Sequence, residues 1–272
     1  MDLPEWAPPD VDLTRPNVAR MYDYYLGGSH NFAVDRRTAQ QAIDDWPAVP
    51  MIIRANRAFM SRAVRHLTEA GVRQFLDLGS GIPTVGNVHE VARTLVTDAR
   101  VVYVDHDPVA VRQSRAILGG DPYTRVIEAD LRHPDLVLSH RLLHDLLDLD
   151  QPVALLMVAV LHFVADHDDP AGIIAGYRDA LPPGSYLAVS HATADGQQQD
   201  QAAEHRQLYA RTTTPMTMRS HAQISHLLDG WDLFDPGLVR LPLWRPDPGE
   251  TGMQDPESFA GFAAVGRKAA TT

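Results

Sequence analysis

The stretch FLDLGSGIPT, residues 75–84, joins a run of apolar residues to a loop that contains two glycines. The apolar run predicts a buried strand, which the loop Gly79, Ser80 and Gly81 is expected to end. Glycine lets the backbone turn tightly and approach a ligand closely. We expect Pro83 in the first turn of the helix that follows, because proline needs no N–H there. The stretch therefore predicts a strand, a cofactor-binding loop and a helix in succession.

The residues of this loop discriminate between two classes of cofactor. A dinucleotide site normally has a third glycine, G-x-G-x-x-G, where this chain has Thr84. Asp77 lies two residues before the first glycine. A carboxylate there would repel a pyrophosphate and would suit an amino group, such as that of a methionyl moiety. The loop therefore favours S-adenosylmethionine, and an NAD-dependent oxidoreductase is the less favoured alternative.

Strand and helix patterns alternate along the chain after the glycine loop. Apolar strand patterns cover residues 73–79, 100–105, 124–130, 152–159 and 185–191. Helical patterns lie between them, at about 84–97, 108–118, 134–147 and 168–181. Such alternation predicts a parallel sheet with helices on both faces. Two later apolar runs, 231–241 and 259–265, are candidates for a sixth and a seventh strand.

The segment before the sheet has helical patterns of its own. Thr14 is expected to cap a first helix, and two more helices are predicted at about 35–45 and 50–69. We therefore expect two units. Residues 1–70 would form a leader and a helical lid, and residues 71–272 would form the α/β domain.

Aspartates end the second and third predicted strands. Asp105 follows Gly81 by 24 positions, where a carboxylate can accept hydrogen bonds from ribose hydroxyls. Asp107 is the better candidate for the cap of the next helix. Asp130 ends the third strand, where an adenine amino group would lie in this architecture. The carboxyl ends of parallel strands meet at one edge of a sheet, so these residues are expected to line one site.

Composition excludes several classes of function. The formal net charge of −11 argues against broad binding to nucleic-acid backbones, which needs a positive surface. The chain has no cysteine, so it has no thiolate site, and no metal site is expected. The start of the chain lacks a signal-peptide pattern, and the longest apolar run, 152–165, is too short to span a bilayer. We expect a cytoplasmic protein without a membrane or nucleic-acid partner.

Taken together, these motifs resemble those of class I S-adenosylmethionine-dependent methyltransferases. The similar segments are FLDLGSG, VVYVDHDP, IEADLR, a fourth strand that ends in VLHF, and ALPPGSYLAVSH. A narrower resemblance, to the actinobacterial S-adenosyl methyltransferase family long catalogued as a domain of unknown function, rests on ARMYDYYLGGSHNFAVDR, IRANRAFMSRAVRHL and FDPGLVRLPLWRP as well. It implies a Rossmann-like, seven-stranded, mostly parallel sheet with an antiparallel last strand.

The resemblance also implies a role for individual residues. Gly79, Ser80 and Gly81 would line the cofactor loop, and Asp77 would approach the methionyl amino group. The adenosine part would contact Asp105 at the ribose, His106 beside the adenine, and Asp130 and Leu131 at the edge and face of the adenine. Ala159 and Val160, at the end of the fourth strand, would border the methionyl part.

The N-terminal segment 20–37 is expected to lie over the open side of this site. Pro83 removes a backbone donor, so we expect Arg20 to pair with the methionyl carboxylate. Tyr22 would stack or donate a hydrogen bond, and Asn31 would reach into the site from the loop after the first helix. The alternative is that the tyrosines belong to a core stripe and that the neighbouring glycines only end the helix.

Two histidines are candidates for a catalytic base. His162 follows the fourth strand and His191 ends the fifth, and an unperturbed imidazole titrates near neutral pH. Either one can instead be a satisfied interior histidine, and methyl transfer can proceed by alignment alone. A non-catalytic S-adenosylmethionine-binding or regulatory protein is therefore a second reading. No base-gripping Asn-Pro-Pro-Tyr-like motif follows the fourth strand, which favours a small-molecule acceptor.

Overall fold

The computed structural model describes residues 4, 6–9, 11–83, 86–197, 203, 207–249 and 259–269. Its helices are α1 Val18–Tyr25, α2 Ala33–Asp45, α3 Val49–Glu69, α4 Val88–Arg93, α5 Pro108–Leu118, α6 Pro134–Leu138, α7 Arg141–His144, α8 Pro170–Ala180 and α9 His221–Leu227. Its strands are β1 Gln74–Leu78, β2 Arg100–Asp105, β3 Thr124–Glu128, β4 Ala154–Val158, β5 Tyr186–Ala192, β6 Trp231–Leu233, β7 Val239–Arg240 and β8 Gly261–Lys268. Short 3₁₀ turns cover Leu161–Phe163, Asp166–Asp168 and Leu241–Leu243.

The strands form one sheet in the order β3-β2-β1-β4-β5-β8-β6, and β7 pairs with β8 beside this path. Strands β1 to β5 are parallel, whereas β8 runs antiparallel to β5, β6 and β7. This confirms the predicted Rossmann-like α/β fold and its antiparallel last strand. The strand order reverses between β1 and β4, which opens a crevice at their carboxyl ends.

Two apolar cores, one on each face of the sheet, hold the helices in place. Because side chains alternate along a strand, Phe75 packs on one face with Phe59 of α3, whereas Leu76 packs on the other with Tyr177 of α8. Helix α3 thus shares a core with the sheet. The division at residue 70 stays a prediction, and α3 packs across it.

Helices α1 and α2 form a further layer that packs on α3. Their core contains Met21, Tyr25, Ala39, Ala42 and Val49. The first helix begins at Val18, so the expected cap at Thr14 is wrong. The side chain of Asn17 caps it instead, since its Oδ1 accepts from the N–H groups of Ala19 (2.8 Å) and Arg20 (3.3 Å).

The loop after β1 is longer than the sequence pattern predicted. Helix α4 begins at Val88, so Pro83 does not lie in its first turn, and Thr84 falls outside the described residues. The backbone N–H of Asn87 donates to the Glu90 carboxylate at 2.8 Å and fixes the start of this helix. The apolar run 231–241 also differs, because a turn splits it into β6 and β7, which gives eight described strands instead of seven.

The described residues contain no helix that is both long and apolar enough to cross a membrane. Within the same part of the chain, no group of three or more histidine or carboxylate side chains is arranged to hold a metal ion.

We predict that Gly79→Ala destabilises the protein more than Gly81→Ala. Both glycines have a left-handed backbone, with φ of +71° and +65°, so alanine costs about 1–2 kcal/mol at either position. At Gly79 the added Cβ would also lie 2.2 Å from Cγ2 of Val160, whereas at Gly81 it meets nothing within 4 Å. The overlap adds about 1–3 kcal/mol. Urea unfolding of both variants measures the difference, and equal losses would contradict the prediction.

Candidate functional site

The carboxyl ends of β1, β2, β4 and β5 meet at one edge of the sheet. The described residues there form two adjoining parts. One is a polar crevice around the glycine loop, and the other is an apolar cleft under α1 and α3. Ala159, directly after β4, lines the cleft, and its neighbour Val160 lies against Gly79 of the loop.

The glycine loop is tied to the tip of β2 by backbone hydrogen bonds. The N–H groups of Gly79 (2.8 Å) and Ser80 (3.1 Å) donate to the carbonyl oxygen of Val104. The N–H of Gly81 donates to Oδ2 of Asp105 at 2.7 Å. Open space above Gly81 leaves room for a ligand to approach the backbone.

Asp105 is buried and organises the start of α5 as well as the glycine loop. Its Oδ1 accepts from the backbone N–H of Asp107 at 2.8 Å. Asp107 in turn caps α5, because its Oδ1 accepts from the N–H of Val109 at 2.8 Å, as the sequence predicted. Each carboxylate oxygen of Asp105 has a second lone pair. Asp105 can therefore accept hydroxyl donors while it keeps its backbone contacts.

Asp77, the last residue but one of β1, borders the crevice. Its carboxylate accepts no hydrogen bond from any described residue. Burial raises the pKa of Asp77 to about 7, while the positive charge of Arg57 lowers this pKa and the negative charge of Asp105 raises it. A ligand ammonium group would add a second positive charge and a hydrogen-bond donor for this carboxyl. The residues at this point thus fit an amino acid moiety.

The expected adenine contacts lie near the tips of β2 and β3. His106 is half-exposed, with Nδ1 at 4.0 Å from Oδ1 of Asp105. Asp130 forms an ion pair with Arg132 (2.6 Å); burial acts to raise the pKa of Asp130, but hydrogen bonds from Arg132 outweigh it and the pKa is lowered. Leu131 is buried, and its carbonyl oxygen accepts from the hydroxyl of Tyr177 at 3.0 Å.

Arg20 is engaged within the N-terminal segment. Its guanidinium lies 3.0 Å from the fully buried carboxylate of Asp35 and also donates to the carbonyl oxygens of Asp12 and Arg15. The structure does not bring Arg20 together with Asp77. The reason is that Asp35, buried with no solvent, needs a cation nearby.

Asn31 is likewise engaged away from the crevice. Its Nδ2 donates to Oδ2 of Asp23 (2.7 Å) and to the carbonyl oxygen of Gly28 (2.9 Å), and its Oδ1 accepts from Arg36 (3.1 Å). These bonds fix the turn between α1 and α2. They leave the side chain 4% exposed.

Tyr22 begins a chain of hydrogen bonds that leads to the end of β4. Asn56 donates from Nδ2 to the Tyr22 hydroxyl (2.9 Å), and its Oδ1 accepts from Oγ of Ser190 (2.5 Å). The same Oγ accepts from the N–H of Ala159 (2.8 Å), whose φ is +56°. We call this the Tyr22–Ala159 chain. It holds a non-glycine residue in the left-handed region at the centre of the site.

Sequence reasoning missed Asn56 and Ser190. A signal existed for Asn56, because it is a polar residue on the otherwise apolar face of α3, between Ile53 and Phe59. Ser190 had no such signal, since a serine inside an apolar strand has many roles.

The apolar cleft is bounded by α1, the end of α2, α3, the tips of β4 and β5, and the start of β8. Its open volume, with the solvent at its mouth, is about 730 Å³. Its lining residues are Val18, Tyr22, Tyr25, Trp46, Val49, Ile52, Ile53, Asn56, Ala159, His162, Phe163, Ser190, His191, Ala192, Tyr209, Met216, Leu241, Ala260 and Gly261. A second groove, near Arg115 and Asp121, lies at the amino end of β3, away from all of these groups.

His191 has both ring nitrogens occupied. Its Nδ1–H donates to the carbonyl oxygen of Ala192 (2.7 Å), which leaves Nε2 to accept from Arg219 (3.0 Å). Burial lowers the pKa of His191 to about 4; the Ala192 bond acts to raise this pKa, and the charge of Arg219 acts to lower it. A neutral imidazole whose lone pair is already bonded is poorly suited to take a proton.

His162 lies beside it, with 5.5 Å between the ring centroids. Its Nδ1 accepts from the N–H of Ala192 at 3.3 Å, which assigns the ring proton to Nε2. His162 also lines the cleft.

Comparison with known proteins assigns the chain to a family. A family model described as S-adenosyl methyltransferase matches residues 4–269. The chain belongs to the S-adenosyl methyltransferase family. It is therefore a methyltransferase with S-adenosylmethionine as its cofactor, and the nicotinamide alternative is set aside. No curated protein matches the chain.

Solved structures agree with the family. A DUF574 family protein from Streptomyces avermitilis MA-4680 is 41% identical, with 93% of this chain and 98% of that chain covered and a TM-score of 0.88. A candidate methyltransferase from Thermobifida fusca YX is 39% identical, with 98% and 100% covered and a TM-score of 0.91. An O-methyltransferase family protein from Burkholderia thailandensis, 12% identical, shares the fold over 95% of this chain and 65% of that chain with a TM-score of 0.53.

We predict that the affinity for S-adenosylhomocysteine depends on the ionisation of Asp77. Below pH 7 this carboxyl takes up a proton and loses its attraction for the ligand ammonium, so affinity should fall by up to about tenfold per pH unit between pH 7 and pH 5. Above pH 7 the carboxyl is ionised and the dependence should level off. Calorimetric titration across this range measures it.

The Asp77→Asn variant is the matched control for this experiment. It should bind more weakly than the wild type at pH 7.5 and should lose the slope between pH 7 and pH 5. If the slope is the same in both proteins, another group is responsible.

Proposed function

We propose that this protein transfers the methyl group of S-adenosylmethionine to a small-molecule acceptor bound in the apolar cleft. The observation that carries the proposal is the position of Ala159 and Val160. Ala159 lines the cleft, and the next residue, Val160, lies against Gly79 of the glycine loop, so the two parts of the site meet at two adjacent residues. A methyl group delivered across the end of β4 would face the cleft.

The polar crevice supplies contacts for the cofactor. Asp105 would accept hydrogen bonds from the ribose hydroxyls, and Asp77 would pair with the methionyl ammonium. His106, Asp130 and Leu131 would contact the adenine. The family resemblance implies these contacts, and the open space above Gly81, beside Ser80, supports them.

Arg57 takes the role that the sequence assigned to Arg20. Arg57 lies on α3 and donates to the carbonyl oxygen of Gly86 at 2.9 Å. Gly86 belongs to the segment that joins β1 to α4. The positive charge of Arg57 lowers the pKa of Asp77 and of Tyr22 against the larger effect of burial. A cation between these groups is placed to hold the methionyl carboxylate.

The cofactor supplies an electrophilic methyl group: a lone pair of the acceptor bonds to the methyl carbon, the sulfur–carbon bond breaks, and its electron pair stays on sulfur, which leaves S-adenosylhomocysteine. The chain aligns the acceptor and excludes water through its apolar lining. His162 lines the cleft beside Ala159 and would border the acceptor. Both ring nitrogens of His191 are bonded, so a proton on the acceptor atom would leave to solvent at the mouth of the cleft. Tyr22 of α1 would border the acceptor, and the role of this segment as a lid stays a prediction.

We predict that Arg57→Gln weakens the binding of S-adenosylhomocysteine by at least tenfold, because the ligand carboxylate loses its cation. Arg54→Gln is the matched control, since Arg54 is exposed on the same helix and lies one turn earlier. Calorimetric titration at pH 7.5 should give the wild-type affinity for this control. Equal affinity of the wild type and Arg57→Gln would show that another residue binds the methionyl carboxylate.

A methyl-transfer screen tests the proposed function itself. Labelled S-adenosylmethionine is incubated with the protein and with cell extract divided into small-molecule and macromolecular fractions. We expect labelled product in the small-molecule fraction. Label transferred only to macromolecules would overturn the small-molecule proposal. Failure to bind S-adenosylhomocysteine at millimolar concentration would overturn the cofactor site.

A further inference from the structure

We propose that the methyl acceptor is a neutral aromatic compound with a single polar atom at the site of methylation. This inference rests on the proposed function, because it assumes that the acceptor occupies the apolar cleft. Three properties of the cleft wall support it: its lack of charge, the internal pairing of its polar groups, and its aromatic surface.

The described lining residues include no aspartate, glutamate, lysine or arginine. Two cations lie close to the cleft: Arg57, whose charge lowers the pKa of Tyr22 and which is assigned above to the methionyl carboxylate, and Arg219, which lies behind His191 and is 3% exposed. Arg219 has its own partners. It is paired with Asp166 at 2.6 Å and donates to the carbonyl oxygen of Val164 at 2.8 Å. Among the described lining residues, a charged acceptor would lose its hydration without gaining an opposite charge.

The tyrosine hydroxyls of the wall and His191 are hydrogen-bonded within the protein. Burial raises the pKa of the tyrosine hydroxyls that line the cleft, and His191 is uncharged at neutral pH. The hydroxyls of Tyr25 and Tyr209 pair at 3.3 Å, and that of Tyr22 belongs to the Tyr22–Ala159 chain. These groups therefore have few hydrogen bonds left to form with a ligand, which favours an acceptor that is mostly apolar.

Aromatic side chains reach the cleft from several parts of the fold. They are Tyr22, Tyr25, Trp46, Phe163 and Tyr209. Rings present flat faces and polarised edges that suit other rings. The acceptor that fits these walls is aromatic, and its nucleophilic atom lies beside Ala159 and His162.

A matched set of probes tests the acceptor class. The binding of 2-naphthol, 2-naphthoate, 2-naphthylmethylammonium and saturated decahydro-2-naphthol is measured by calorimetry, with and without saturating S-adenosylhomocysteine. We expect 2-naphthol to bind at least tenfold more tightly than either charged probe and more tightly than the saturated one. Equal or tighter binding of a charged or saturated probe, or no binding of 2-naphthol at 1 mM, would overturn the inference.

The same titrations separate this inference from the proposed function. Loss of S-adenosylhomocysteine binding tests the cofactor site, whereas the preference among probes is read directly on the protein without it. A protein that binds S-adenosylhomocysteine and prefers 2-naphthoate would keep the proposed function and lose the neutral aromatic acceptor.

A second test introduces a positive charge into the wall of the cleft and measures whether an anionic probe binds more tightly. Ile53 lines the cleft, so Ile53→Lys should raise the affinity for 2-naphthoate at least tenfold. Met51→Lys adds the same charge at an exposed position outside the cleft and should leave it unchanged. Equal behaviour of the two variants, with S-adenosylhomocysteine binding intact in both, would show that the probes do not bind in this cleft.

Discussion

The hydrogen bond from the N–H of Gly81 to the carboxylate of Asp105 is the contact on which the site depends. It joins the loop after β1 to the last residue of β2, beside the point where the strand order reverses. The N–H groups of Gly79 and Ser80 bond to Val104 of the same strand, so all three residues of the glycine loop are fixed to β2. The contact of Val160 with Gly79 then connects the loop to the end of β4.

The N-terminal layer follows a different physical principle, because buried charges hold it together. Asp35 has no exposed surface and is surrounded by Arg20 and by the backbone N–H groups of Asn17 and Phe32. Such an arrangement is costly to break, since removal of one partner leaves the other charge buried. Between α1 and α2, Asn31 bonds to a second buried carboxylate, Asp23. Tyr22 and Tyr25 of α1 line the cleft.

The sequence was sufficient for the fold because hydrophobic alternation and the glycine loop are local signals. β2 and α5 begin and end where the pattern predicted, and the antiparallel last strand was implied by the family resemblance. The side-chain partners within the N-terminal segment were harder to predict from the sequence. Arg20 and Asn31 have the right chemistry for a ligand, but their partners, Asp35 and Asp23, are set by tertiary packing. Arg57 and Asn56 were missed for the same reason, since a helical pattern does not show which side of α3 meets the cofactor.

The position of helix α3 limits which parts of the site can vary in sequence among members of this family. Its residues Ile53, Asn56 and Arg57 are spaced along one face, so a single rigid element borders the acceptor and the cofactor loop together. The opposite wall of the cleft comes from α1, the end of α2 and the region around Tyr209, which contribute little to the crevice. Substitutions in that wall can reshape the acceptor pocket while cofactor recognition stays intact. The architecture thus separates the half of the site that must be preserved from the half that is free to diversify among related proteins.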